Sequence, residues 1–334
     1  MSFKMRPARA SDLPALYEMA KLTGGGFTNL PADRKSLAKT LERSEESLSR
    51  ADDTLAADRV AMMLENTATG AIRGTCQIFS KIGENAPFYS YRISALTQSS
   101  TALKRTFRAE MLTLVTDFEG ASEVGGLFLH PHERAGGLGM LLARSRYLYI
   151  RQHRPRFADR LFAELRGVID EGGGSPFWDG LAGKFFGMSF QEADAFNAIN
   201  GHQMIADLMP KHPVYTALLP DSARLVMGIP HSSGRAAMRM LESEGLVHDH
   251  YIDIFDGGPT MHTLTDRVRS VAQSRSVRIE KVAENDAPRS VTATGRLKNF
   301  TAAYARVSDD GTIDPEGAKT LGVEAGSDVL VAPQ

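Results

Sequence analysis

Glu123-Val-Gly-Gly-Leu-Phe-Leu129, closed by His130-Pro131, runs through Arg134-Ala-Gly-Gly137-Leu-Gly139 into Met140-Leu-Leu-Ala-Arg-Ser-Arg-Tyr-Leu-Tyr-Ile150. The first segment is a short apolar strand and the last has the length and spacing of a helix. Between them Gly137 and Gly139 let the backbone come close to an anion. The first N–H groups of the helix have no intrahelical acceptor, so they can donate to phosphate oxygens with help from the dipole. A Gly-rich strand-to-helix turn without any ligand has the same pattern, and spacing alone leaves both readings open.

Two familiar phosphate loops are excluded. Gly137-Leu-Gly139-Met-Leu-Leu lacks the third glycine of a dinucleotide fingerprint, and no G-x-x-x-x-G-K-[ST] run occurs. The pyrophosphate of an acyl-CoA on a GNAT-type loop fits best. The alternation of strands and helices around it points to an α/β (α+β) fold.

Outward from this centre, Phe3–Arg6 alternates as a strand, Ser11 is the expected N-cap, and Leu13, Leu16, Tyr17, Met19 and Ala20 follow helical spacing. A Gly-rich loop (Thr23 to Pro31) and a charge-mixed helix over 34–58 come next. Val60–Glu65 and Ile72–Ser80 flank Asn66-Thr-Ala-Thr-Gly70, which predicts an antiparallel hairpin. Further strands are expected at Phe88–Leu96 and Leu161–Gly167, and helices at Phe177–Phe186 and from Ser233 towards Leu246. Those two helices each precede a Gly-containing turn, which leaves open a tandem of two related α/β units. Beyond Asp266 the runs 277–283, 291–294, 301–307 and 328–331 are short and β-type. The expected domains are residues 1–195 (acyl-CoA binding), 196–265 (a second α/β lobe) and 266–334 (a small C-terminal β-barrel-like domain).

Composition narrows the function. The chain has 334 residues, 42% hydrophobic and 24% charged, with 39 Lys and Arg against 40 Asp and Glu. A net charge of -1 provides no global field for nucleic acid or an anionic membrane. The lone Cys76 can form neither an intrachain disulfide nor a thiolate cluster. No apolar run approaches the ~18–20 residues that span a bilayer, and no signal-peptide core opens the chain, so a cytoplasmic protein is expected. The pairs His130/His132 and His248/His250 lack i,i+4 ligand spacing, so no metal is expected. His231 stands before a helix, where an imidazole can reach into a cleft and titrate near neutrality. Glu164, Asp170, Glu171, Asp253 and Asp256 are candidate partners for a cationic substrate, or plain loop carboxylates. Trp178, Met204, Met209 and Met227 are expected in the core. The arginines 144, 146, 151, 154 and 156 are either phosphate contacts or a solvated face.

Seven motifs then occur in order: Gly24-Gly-Gly-Phe-Thr-Asn-Leu-Pro31, Leu127-Phe-Leu-His-Pro131, Glu164-Leu-Arg-Gly-Val-Ile-Asp-Glu171, Ser175-Pro-Phe-Trp178, Phe185-Phe-Gly-Met188, Leu208-Met-Pro-Lys-His-Pro213 and Asp253-Ile-Phe-Asp-Gly-Gly-Pro-Thr260. Together they resemble the bacterial arginine N-succinyltransferase family over nearly the whole chain. The resemblance implies a GNAT-type acyl-CoA N-acyltransferase core with a small β-barrel-like C-terminal domain, and transfer of succinyl from succinyl-CoA to the α-amino group of L-arginine. It maps succinyl-CoA binding to Leu127, beside the loop residues Arg134, Gly137, Leu138 and Gly139, and the proton-donor histidine to His231. Asn29 stands where the family generally has Ser, which leaves ornithine open as an acceptor. A homo-oligomer, or pairing with a related subunit, is also implied. A weakly active acyl-CoA-binding partner subunit is the alternative of another class.

Overall fold

The alternating N-terminal residues form β1 (Phe3–Pro7), with Phe3 and Met5 turned into the core. The computed structural model describes residues 2–23, 29–84, 86–200 and 207–333, with backbone alone for 197–200. Residues 24–28 of the Gly-rich loop, and Met204, lie outside the described residues. The chain folds as two compact units. The first comprises Met1–Lys81, Ala121–Leu161 and Leu264–Gln334, and the second Ile82–Gly120 and Phe162–Thr263.

In the first unit the expected hairpin forms between β2 (Arg59–Asn66) and β3 (Ile72–Phe79). Asn66 builds its turn, the Oδ1 accepting from the Ala68 and Thr69 N–H groups at 3.0 and 3.3 Å. β1 pairs antiparallel with β2, and β3 with β6 (Ser122–Leu129). The free edge of β1 needs partners for its backbone, and β14 (Thr301–Arg306) supplies them, Met5 opposite Ala302. Next to β14 lie β13 (Arg289–Thr294), β16 (Asp328–Val331) and β11 (Arg275–Arg278), all antiparallel. The two-residue strands β12 (Lys281–Val282) and β15 (Thr312–Ile313) make a small parallel pair. Residues 266–334 thus extend the sheet of the first unit through β1.

Two helices, α1 (Leu13–Lys21) and α2 (Arg34–Ser49), bury Leu16, Met19, Leu37 and Leu41 against Ala61, Met63 and Phe128. The N-cap of α1 is Asp12 rather than Ser11, and its side chain secures the turn before the helix. The Asp12 carboxylate accepts from the Arg9 N–H at 2.8 Å and from the Arg6 guanidinium at 2.8 and 2.9 Å. α2 stops at Ser49, well short of 58, because Arg50 turns extended and gathers Thr54 and Asp58 into a loop. The third helix, α3 (Leu138–Gln152), is buried along most of its length; its Leu142 carbonyl lies 3.7 Å from the Cys76 sulfur.

In the second unit β7 (Arg160–Glu164) is followed across the sheet by β10 (Pro259–Leu264), β9 (Val247–Ile252), β4 (Ser90–Ser100), β5 (Arg105–Val115) and the short β8 (Val214–Tyr215). The expected helix Phe177–Phe186 is two short ones, Pro176–Gly180 and Gly183–Phe186, broken where Leu181 leaves helical geometry. Trp178 is core, as expected: fully buried, stacked on Phe255 at 5.6 Å, its Nε1–H donating to the Met188 carbonyl at 2.9 Å. Met209 is buried in the same cluster, and Met227 packs against it half-buried. Among the described residues no helix is long and apolar enough to cross a membrane.

Candidate active site

The decisive stretch folds as strand, turn and helix, with one irregularity. Thr75 faces Phe128 and Gln77 faces Gly125, so Gly126 and Leu127 together oppose Cys76. Two residues against one is a β-bulge, which takes backbone groups off the ladder and re-aims the strand. Gly126 adopts φ +56°, a conformation that costs glycine little, and a Cβ there would lie 2.9 Å from the Gln77 amide nitrogen. Gly137, at φ +79°, is the N-cap of α3. Its carbonyl accepts from the Met140 and Leu141 N–H groups at 2.9 and 3.1 Å and from the Tyr304 hydroxyl at 2.8 Å. Arg289 lies over the Tyr304 ring at 4.2 Å. Of the expected donor-binding residues, Gly137, Leu138 and Gly139 are gathered at this helix start and Arg134 is exposed on the turn before it. Leu138 offers only backbone, because its side chain is buried.

The same strand carries a residue that sequence reasoning missed. Glu123 is buried, and burial pushes its carboxyl up to about 7, against the Asn29 hydrogen bond and the nearby Arg59 charge. Asn29 Nδ2 donates to Glu123 Oε1 at 3.0 Å, and that oxygen lies 2.9 Å from where a Gly125 Cβ would stand, so the carboxyl leans towards the bulge. Gln77 links the group: its Nε2 donates to the Asn29 carbonyl and its Oε1 accepts from Arg59 Nε at 2.7 Å. The available signal was an acid within an otherwise apolar strand.

In the second unit, the His231 N–H donates to the Arg166 carbonyl at 2.7 Å, which fastens the histidine to the segment leaving β7. His231 Nδ1 accepts from the Ser233 N–H at 3.3 Å and lies 2.7 Å from the Ser233 hydroxyl. A backbone N–H can only donate, so the neutral ring carries its proton on Nε2. Burial, then the Arg166 charge, holds the imidazole below its ordinary range. Asp256 is buried and accepts from the Gly167 and Gly258 N–H groups at 2.7 and 2.8 Å. Burial and the neighbouring Asp253 push Asp256 up to about 8.

Other candidates serve the fold. Asp253 Oδ1 accepts from the Phe255 and Asp256 N–H groups, and Asp170 closes its own loop through Gly174. Arg144 donates to the Pro333 carbonyl, and Arg154 pairs with Asp159 and Asp266. Arg156 is buried among carbonyls of residues 47–52, and Arg146 is buried too. His130 Nδ1 meets the His132 N–H, and His248 Nε2 meets the Tyr251 carbonyl. No cluster of three His, Cys, Asp or Glu suited to a metal occurs among the described residues.

Residues 3–270 match the family described as arginine N-succinyltransferase beta subunit. Over 329 residues the chain is 39% identical to the arginine N-succinyltransferase of Salmonella arizonae, covering 98% of this chain and 93% of that one. This chain belongs to the arginine N-succinyltransferase family. The arginine N-succinyltransferase of Salmonella schwarzengrund is 38% identical with the same coverage. Among solved structures, the arginine/ornithine succinyltransferase subunit AI of Pseudomonas aeruginosa superposes with a TM-score of 0.90 at 32% identity, covering 99% of this chain and 98% of that one. As a member of the arginine N-succinyltransferase family, the chain is an acyltransferase of mixed α/β fold.

Proposed function

We propose that this chain transfers the succinyl group of succinyl-CoA to the α-amino group of L-arginine, giving N2-succinyl-L-arginine and CoA. The observation that carries this reading is the match, over 98% of the chain, to proteins named for that reaction. The local geometry supports the chemistry. Backbone groups at the Gly126–Leu127 bulge take the thioester carbonyl and stabilise the oxyanion as it forms. The first-turn amides of α3, with Gly137, Leu138, Gly139 and the Arg134 charge, take the pyrophosphate.

Aminolysis needs a neutral amine, and an α-amine is largely protonated near pH 7. The tautomer set by Ser233 presents His231 Nε2–H as a hydrogen donor, which suits the departing thiolate better than the amine. Glu123, with a carboxyl pKa of about 7, takes the amine proton directly or through water. The amine adds to the thioester carbonyl, forming the C–N bond and the oxyanion. Collapse of that intermediate restores the carbonyl and breaks the C–S bond, so the sulfur leaves as CoA thiolate, held by the His231 Nε2–H hydrogen bond. The proton lost by nitrogen passes through Glu123 to solvent or to the thiolate. The chain works as a subunit, with a second copy or a related chain as partner; the word subunit in the names of its matches supports this.

The test is CoA release from succinyl-CoA by the purified protein with arginine, ornithine or lysine. Arginine-dependent release at a kcat/KM above that for ornithine supports the reading. A preference for ornithine moves the acceptor, and release with none of the three overturns the assignment.

A further inference from the structure

Most buried or half-buried arginines of this protein hold acceptors. Arg6 grips Asp12 with two bonds, Arg154 grips Asp159 and Asp266, and Arg156 reaches Asp53 and several carbonyls. Arg166 differs. It is half-buried, its Nε–H is buried without an acceptor, and its guanidinium makes no ion pair among the described residues. The acid whose charge reaches it, Asp256, and the neighbouring Asp253 are already engaged. Both Asp256 oxygens accept backbone N–H groups, and Asp253 Oδ1 caps the turn at Phe255 and Asp256. Burial and the neighbouring Asp253 disfavour the charged form of Asp256, and it makes no ion pair with Arg166 among the described residues. The guanidinium lies within electrostatic reach of the His231 ring, and the Arg166 carbonyl holds the His231 backbone.

We propose that Arg166 is a substrate-binding residue that fixes a substrate carboxylate beside His231. A planar guanidinium with open donors matches a carboxylate in a bidentate pair, a geometry an ammonium does not reproduce. The proposal rests on the reaction assigned above, in which two carboxylates are present: the free end of the succinyl group and the α-carboxylate of the acceptor. Either one satisfies the buried Nε–H and places its substrate against the imidazole.

The experiment compares wild type with Arg166→Lys and Arg166→Gln in two pairs of assays. One pair is succinyl-CoA against butyryl-CoA, which keeps the chain length and removes the carboxylate. The other is arginine against argininamide, which keeps the α-amine and the guanidinium. The result expected is a fall in kcat/KM of about 10- to 100-fold for one carboxylate substrate, the scale of lost charged hydrogen bonds, with its neutral analogue little changed. A fall confined to succinyl-CoA assigns the acyl carboxylate, and one confined to arginine assigns the acceptor. An equal fall for both members of both pairs, or no fall, overturns the proposal. A smaller folded fraction lowers both members alike and cancels in the ratio. Wild type that transfers no succinyl to arginine overturns the reaction assignment itself, and the proposal with it.

Discussion

The proposed donor-binding half offers backbone, whereas the half around His231 offers side chains. At the bulge and the start of α3 the path of the chain is set by Gly126, Leu127 and Gly137, whose amides are the proposed donor contacts. Around His231 the imidazole is fastened to the Arg166 carbonyl and feels the Arg166 charge, which the buried Asp256 feels as well. The difference predicts two kinds of sensitivity. Backbone sites fail when a residue changes the path of the chain, and side-chain sites fail when a single functional group is removed.

Removing such a group should have the largest effect. His231→Ala should lower kcat about 10²- to 10⁴-fold while leaving KM for succinyl-CoA within a few fold, measured by CoA release. An unchanged kcat would break the contrast, because the side-chain half would then carry no chemistry. Next comes Glu123, whose folded pKa of about 7 lies above its ordinary 4.5. The folded state holds this proton more tightly than the unfolded chain does. Its penalty is therefore absent below pH 4.5, grows as pH rises towards 7, and levels off above at about 3 kcal/mol. Glu123→Gln should flatten that window in denaturant titrations at pH 5, 6, 7 and 8; a slope equal to wild type would show that the carboxyl ionises freely.

Gly137→Ala tests the backbone half. Gly137 sits at φ +79°, and a Cβ would meet the Tyr304 hydroxyl at 2.9 Å, so the loop must move. KM for succinyl-CoA should rise about 10-fold with kcat nearly kept, a cost of about 1–2 kcal/mol. Tyr304→Phe removes one hydrogen bond to the Gly137 carbonyl and should raise the same KM only about 2- to 5-fold. A truncated succinyl thioester without the nucleotide should be insensitive to either change. Equal sensitivity would mean that the loop supports the fold rather than the pyrophosphate.

The same contrast governs what could be read from the sequence. The strand, the glycine turn and α3 are neighbours along the chain, so local spacing foretold them. His231 came from a family resemblance, because Arg166, whose carbonyl and charge reach it, is 65 residues away and joins it only through the packing of distant segments. Ser233, which sets the ring's tautomer, lay two residues on yet carried no signal of its own. Glu123 was hidden because burial, not residue type, raises its pKa. The end of α2 was misread because mixed charges after Ser49 resemble a solvated helix face, whereas Arg50 uses them to tie a loop. Pairing of β14 with β1 had no local signature at all, because the two strands lie almost 300 residues apart.

That pairing has a consequence for how the protein is made. β1 leaves the ribosome before every other strand described, yet its neighbour β14 is synthesised almost 300 residues later, after the whole second unit. Until then the edge of β1 is an unfilled template for other strands, a hazard in slow, long-range assembly. Tyr304, which braces the Gly137 loop, arrives on the same late strand. A chain cut short by a nonsense codon or a protease therefore lacks the brace of the Gly137 loop as well as the closing strand, so incomplete copies are marked by their exposed edge and, on the proposed donor site, by weak capture of acyl-CoA.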